Sequence, residues 1–249
     1  MKIDKARIAE WLLRTVKNCR TAAIVLAAGN STRMGKNVNK QMETLCGVPV
    51  LAHTLTAYQR CKLISEIVVV TRPDDFEAVY SLCKKYGIDK LTHIVAGGST
   101  RQESAKKGMS KLSSEVRYVA IADGARCLIT PAQIAKVCLR AYRCQAASAA
   151  HKISDTVKRT TAIGMTRETV DRNNLWQAQT PQVFHTSLYT AALYQAEADG
   201  FSVTDDNSLI EHLGYQVRMV ECGMQNIKIT TPDDLPLAEA ILEYRSKQV

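Results

Sequence analysis

Thr21-Ala22-Ala23-Ile24-Val25-Leu26-Ala27-Ala28-Gly29-Asn30-Ser31-Thr32-Arg33-Met34-Gly35, with Lys40 five residues further on, is the stretch from which the fold is read. Residues 22–27 are a short apolar run that suits a buried first strand. It ends in a loop rich in small residues, 28–40. Small residues directly after a buried strand let backbone N–H groups approach phosphate oxygens closely. Arg33 and Lys40 add the cations that such a loop needs. The spacing is not the Walker pattern, which wants Gly-Lys-Ser/Thr opening a helix. It is not the dinucleotide fingerprint either, because the glycine triplet is absent. A loop of Gly and Ala is by itself only a turn; its place after a strand and its two cations make it a candidate phosphate site.

Outward from this loop the chain alternates. A helix-like stretch runs over about 49–61, a strand over 67–71, and a second helix follows Pro73. A strand over 93–96, a helix from about Arg101, a strand over 118–122 and a helix from near Pro131 continue the rhythm. Strand and helix in turn predict crossover units and a doubly wound, mostly parallel α/β sheet. Between about 146 and 181 the rhythm breaks into mixed polar and β-branched residues, with Val170, Leu175 and Trp176 as apolar anchors. That segment reads as an extended arm or hairpin projecting from the sheet. Helices near His185 and Asp205, a strand over 216–220 and a helix from Pro232 follow. Residues 1–20, with Ile8, Trp11, Leu12 and Val16 near helical spacing, read as a helical extension ahead of a domain over 21–249.

The totals narrow the function. The net charge is +9, which suits anionic ligands. The basic residues are dispersed and only three Phe and two Trp are present, so phosphorylated small molecules fit better than nucleic acid. No apolar run has the length of a membrane span, and charges occupy the N-terminus where an export signal needs an apolar core. The eight cysteines form no C-x-x-C pair and read as reduced thiols of a cytoplasmic protein. The five histidines sit in no recognisable Ser or Cys context, so no catalytic triad is expected.

Asp123 ends the strand over 118–122, with Arg126 three residues on. Ligands of open α/β sheets bind outside the carboxyl ends of strands, so Asp123 should face the same crevice as the first loop. Orienting a metal ion, orienting a substrate hydroxyl and capping the next turn all suit an aspartate there. Further pieces recur along the chain: Gly97-Gly98 with Arg101 and Ser104; Asp155-Thr156-Val157-Lys158-Arg159; Val170-Asp171-Arg172; Gln179-Thr180-Pro181-Gln182; Thr204-Asp205; and Asn226-Ile227-Lys228-Ile229-Thr230. In this order they resemble the 2-C-methyl-D-erythritol 4-phosphate cytidylyltransferases, within the wider sugar-nucleotidyltransferase fold, from about Ala22 to Leu242.

The resemblance implies transfer of CMP from CTP to 2-C-methyl-D-erythritol 4-phosphate, a step of non-mevalonate isoprenoid precursor synthesis, with Mg²⁺ accompanying the CTP. It implies that Arg33, Lys40 and Lys228 are catalytic, holding the triphosphate and its developing charge. Ala27, Ala28, Gly29, Gly98, Ser99, Arg101 and Ser104 would bind the nucleotide. Asp123, Arg126, Thr204 and Thr230 would bind the acceptor, a small polyol phosphate. Thr156 and Arg172 would reach the neighbouring subunit's acceptor site from the arm of a homodimer. No direct metal ligand is assigned.

The sequence also departs from the family pattern. Ala122, Gly124 and Cys127 replace residues around Asp123, and Asn39 replaces a proline before Lys40. An extra Gly and a missing Pro predict a looser loop there. Ribitol-5-phosphate cytidylyltransferase is the neighbouring alternative, and a CTP-binding regulatory homologue without turnover is another. Retention of Arg33, Lys40, Asp123 and Lys228 speaks against the second.

Overall fold

Residues 22–27 are apolar without alternation because the strand they form is covered on both faces. In the computed structural model, which describes residues 19–29, 32–34 and 39–248, β1 (Thr21–Leu26) sends Ala23 and Val25 into one core and Ile24 into another. β4 (Ile64–Thr71) and β6 (Tyr118–Asp123) flank β1 in parallel. They divide in the same way. Ile67, Val69, Ala120 and Ala122 join the first core; Val68, Val70, Val119 and Ile121 join the second.

Helices α1 (Val50–Arg60), α2 (Phe76–Lys85) and α4 (Pro131–Cys144) supply the first face with Leu51, Leu55, Val79, Ile134 and Val137. Helices α3 (Arg101–Met109), α5 (Thr186–Ala198) and α6 (Asn207–His212) close the second with Ala105, Leu188, Ala192 and Leu209. Gly108 lets α3 lie close to the sheet, since a Cβ there would come 2.6 Å from Ile24 Cγ2. α4 begins with Thr130 and Gln133 in a reciprocal capping box and Pro131 in its first turn, so its start is written in three residues.

The seven-stranded sheet has the order β11-β7-β10-β6-β1-β4-β5, with β5 at Leu91–Ala96, β7 at Ala146–Lys152, β10 at Trp176–His185 and β11 at Arg218–Glu221. Only β10 runs against its neighbours. The region expected to leave the sheet over 146–181 therefore needs correction at both ends: β7 and most of β10 are sheet strands. What pairs outside the sheet is the ribbon of β8 (Val157–Thr160) and β9 (Thr166–Val170). A short hairpin, β2 (Thr44–Leu45) with β3 (Val48–Pro49), precedes α1, and α7 (Asp234–Ser246) ends the chain's described part. The helix read over 1–20 lies outside the described residues except for Cys19 and Arg20. Among the described residues no helix is long and apolar enough to cross a membrane.

A third apolar cluster sits at the carboxyl edge of the sheet. It joins Ala125, Cys127 and Leu128, from the loop after β6, to Leu45, Val50, Ile229 and Ala238. This cluster holds the segment before α7 against the end of β6, and it places the candidate site.

Candidate active site

The ends of β1, β5 and β6 open on a crevice of about 420 Å³. Ala28 and Gly29 form one wall, Gly98, Ser99, Arg101 and Ser104 a second, and Lys40, Gln41, Asp123 and Lys228 are also in the lining. Lys40 and Lys228, 188 positions apart by subtraction of their numbers, thus reach one cavity.

Local chemistry explains each placement. Lys40 stands on a turn that Asn39 anchors: the Asn39 side chain accepts from Gln41 N at 3.2 Å and donates to Asp75 Oδ1 at 3.0 Å, and its carbonyl accepts from Met42 N at 2.9 Å. An Asx-type turn does here what a proline does by ring constraint. Lys228 precedes buried Ile229, whose N–H donates to Ala125 O at 2.8 Å, and Arg126 Nη1 donates to Asn226 O at 2.7 Å. Asn226 is itself buried and donates to Gln179 Oε1 and Thr180 O, both at 3.0 Å. The loop predicted to be loose around Gly124 is tied. Gly124 N donates to Leu26 O at 2.9 Å, Thr54 Oγ1 donates to Gly124 O at 2.7 Å, and Cys127 is buried. Gly124 is closely packed as well, since a Cβ there would lie 2.8 Å from Gln41 Oε1, the movable end of a side chain, and 3.2 Å from Ala27 Cβ.

The second wall is built on close approach. A Cβ on Gly97 would come 2.4 Å from Ala28 Cβ. Gly98 N donates to Ser104 Oγ at 2.9 Å, and Ser99 donates from both N and Oγ to Glu103 Oε2 at 2.7 and 2.8 Å. Those bonds from the Ser99 hydroxyl and N–H hold the Glu103 carboxyl down to about 2.

Charge is concentrated on Asp123, which is 7% exposed. Arg101 Nη1 donates to its Oδ1 at 2.6 Å, Lys228 Nζ lies 2.9 Å from its Oδ2, and Arg126 Nε lies 3.6 Å from the same oxygen. Burial alone pushes the Asp123 carboxyl up, but Arg101, Lys228 and Arg126 together outweigh it and hold the group below the usual carboxylate range. Burial, then the positive charge of Lys228, lowers the Lys40 ammonium from the ordinary lysine value, while Asp123 works the other way. Lys40, Lys228 and Arg33 are close enough for their charges to act on one another, a balance that suits an anionic ligand.

The remaining candidates divide. Ala27 is buried and its N–H donates to Val70 O at 2.7 Å, so that donor is not free. Arg33 is exposed on a single turn, Thr32–Met34, beside the crevice, and its charge contributes to the lowering at Lys40. Arg101 lines the crevice, but its guanidinium already serves Asp123 and Asp206. Arg126 and Thr230 line a neighbouring hollow of about 490 Å³ that shares Lys228 with the first. Thr156, Arg172 and Thr204 are exposed and outside both linings; Arg172 Nη1 donates to Ser154 O at the base of the ribbon. Sequence reasoning missed Gln41 and Asp206 and gave no role to Asn226 within its motif; all three are buried polar residues at the same edge.

A mostly parallel sheet with glycine loops and converging cations at its carboxyl edge defines an α/β protein whose crevice suits a phosphate-bearing ligand. A sequence profile of 2-C-methyl-D-erythritol 4-phosphate cytidylyltransferase matches residues 21–244. Proteins of that name from Parasynechococcus marenigrum and a Synechococcus species are 42% and 44% identical over 224 and 223 residues, covering 90% and 89% of this chain and 98% and 99% of theirs. The crystal structure of 4-diphosphocytidyl-2C-methyl-D-erythritol synthase from Anaerococcus prevotii superposes with a TM-score of 0.82 at 30% identity, covering 92% of this chain and 99% of that one. The chain belongs to the 2-C-methyl-D-erythritol 4-phosphate cytidylyltransferase family.

Proposed function

We propose that this chain transfers CMP from CTP to 2-C-methyl-D-erythritol 4-phosphate and releases pyrophosphate. The convergence of Lys40 and Lys228 on the crevice floored by Asp123 is the observation that supports it. In the reaction an oxygen of the acceptor's phosphate attacks the α-phosphorus of CTP in line, and the bond from the α-phosphorus to the bridging oxygen of the β-phosphate breaks. A phosphate monoester is largely a dianion at neutral pH, so no general base is required. The chemistry asks for positioning and positive charge. Ala28 and Gly29 receive the phosphates, Lys40 and Lys228 face the α-phosphorus, and Arg33 covers the leaving pyrophosphate. Gly98, Ser99 and Ser104 hold the base and ribose, Arg126 and Thr230 the acceptor beside Lys228.

A divalent cation fits this site as a companion of the triphosphate. Asp123 is the sole carboxylate lining the crevice among the described residues, and both its oxygens already accept from cations. Phosphate oxygens and water would therefore carry the ion, which would neutralise part of the triphosphate charge. The eight unpaired thiols suit a reducing compartment, the cytoplasm.

The test is pyrophosphate release from CTP, run side by side with methylerythritol 4-phosphate and ribitol 5-phosphate. A clear preference for the first is expected. Preference for the second overturns the acceptor, and CTP binding without release overturns the enzyme.

We also propose a homodimer in which each ribbon completes the partner's site. β8 and β9 pair only with each other among the described strands, and Ile163 and Met165 near their tip are 86% and 64% exposed. Such apolar side chains on a projecting ribbon suit a covered surface. Lys228→Ala and Arg172→Ala chains, each nearly inactive alone, should recover about a quarter of normal turnover when refolded together in equal amounts, because half the dimers then hold one intact site. No recovery, or a monomer in sedimentation velocity, refutes exchange of arms.

A further inference from the structure

Asp206 is 1% exposed and lies outside the lining of the crevice. Its Oδ2 accepts from Arg101 Nε at 3.0 Å and from Nη2 at 2.8 Å. Its Oδ1 accepts from the Tyr189 hydroxyl at 2.5 Å, and its backbone N–H donates to Gln182 Oε1 at 2.9 Å. Arg101 therefore bridges two carboxylates, giving one side of its guanidinium to Asp206 and Nη1 to Asp123. Lys228 takes the Asp123 oxygen that Arg101 leaves free.

From this chain of contacts we infer that Asp206 is a positioning residue for the reaction, acting through Arg101 and Asp123 to fix the ammonium of Lys228 in the crevice. The inference rests on the cytidylyltransferase reading for the role of Lys228. The physical reason is competition for Asp123. A guanidinium prefers to engage a carboxylate with two parallel N–H bonds. Here Asp206 occupies Nε and Nη2, so Arg101 reaches Asp123 with one nitrogen and one oxygen stays open to Lys228. Take away the charge on Asp206, and Arg101 turns to grip both oxygens of Asp123. Lys228 then loses its anchor and leaves the position from which it meets the α-phosphorus. Tyr189 has a smaller part: by filling Oδ1 it directs Arg101 to Oδ2.

A double-mutant cycle in the full chain tests this. Asp206→Asn keeps the shape of the side chain and removes its charge. It should lower kcat about tenfold in the otherwise unchanged protein and less than about twofold when Lys228 is already Ala, because the lost interaction is then absent in both chains. Residues that serve only folding give equal losses in the two backgrounds, so additive effects overturn the relay, as does an unchanged kcat in the single variant. Thermal melts establish that each chain is folded. If Asp206→Asn does not fold, Tyr189→Phe, which keeps the ring stacked on Phe184 at 5.1 Å, replaces it in the cycle with an expected loss of about threefold and the same two outcomes. Should the unsubstituted chain turn over no CTP, the cytidylyltransferase reading fails, while a crystal structure of Asp206→Asn still decides the relay: Lys228 Nζ displaced from Asp123 Oδ2, 2.9 Å away in the unsubstituted chain, supports it, and an unmoved Lys228 overturns it.

Discussion

Lys228→Ala and Lys40→Ala are each expected to lower kcat with CTP and methylerythritol 4-phosphate by about a hundredfold, on the order of 3 kcal/mol of transition-state stabilisation. As the α-phosphorus becomes five-coordinate, negative charge gathers on its equatorial oxygens and on the departing pyrophosphate. A cation fixed before the reaction meets that charge without reorganising. Lys228 is fixed by Asp123 at 2.9 Å, and Lys40 by the turn that Asn39 anchors. Ground-state binding of CTP draws on the whole crevice, including the backbone of Ala28 and Gly29, so KM for CTP should move much less than kcat. Folding should survive in both variants. Lys228 is 38% exposed, and without it Asp123 keeps Arg101 and Arg126 as partners. Steady-state kinetics with thermal melts checks the prediction; near-normal turnover in both variants overturns the assignment.

How much of this was legible beforehand depends on what each segment signals. β1, β4 and β6 announce themselves because each contains an unbroken apolar run with Ile and Val, as suits strands that helices cover on either side. β7 does not, since Ala146-Ala147-Ser148-Ala149-Ala150 carries no β-branched residue and alanine is at home in a helix. β10 is masked by Pro181, which removes a ladder donor and demotes a run to an edge. The structure accommodates it where the pairing with β7 shifts between Ala178 and Gln182. The reading of one arm over about 146–181 therefore takes in two sheet strands, and only β8 and β9 between them pair apart from the sheet.

The site followed a similar rule. Residues that project into the crevice belong to recognisable loops, and their meeting could be argued from strand ends. The supports could not. Asp206 looks like a surface acid after Thr204-Asp205, and only its burial against Arg101 and Tyr189 reveals otherwise. One question would have found it: what neutralises Arg101, Arg126 and Lys228 if Asp123 is the single carboxylate nearby? The family pattern also suggested weakness at Asn39 and Gly124, where hydrogen bonds and close packing instead hold both loops.

Asp123→Ala should damage both turnover and stability, unlike either lysine variant. The carboxylate is the common partner of Arg101, Arg126 and Lys228, and removing one member of a buried ionic group leaves the others uncompensated. Arg101 retains Asp206, and Lys228 can turn to solvent. Arg126 has neither escape, because its side chain is 13% exposed and its Nε has no hydrogen-bond acceptor. Losses of this kind are about 3–5 kcal/mol, which for a chain of this size corresponds to a fall in Tm on the order of 10 °C. At 20 °C or so the variant should remain folded, and turnover should still fall about a hundredfold because Lys228 has lost its anchor. Acid supplies an independent reading. The folded-state pKa of Asp123 lies below its unfolded value, so its stabilisation is complete above about pH 4 and is lost as pH falls toward the folded value. Melting temperature followed from pH 6 to pH 2 should drop more steeply for the unsubstituted chain than for Asp123→Ala, the gap between the two curves narrowing toward the acid end. Parallel curves, or a variant that melts with the unsubstituted chain at neutral pH, would show that Asp123 is not the charge on which the three cations depend.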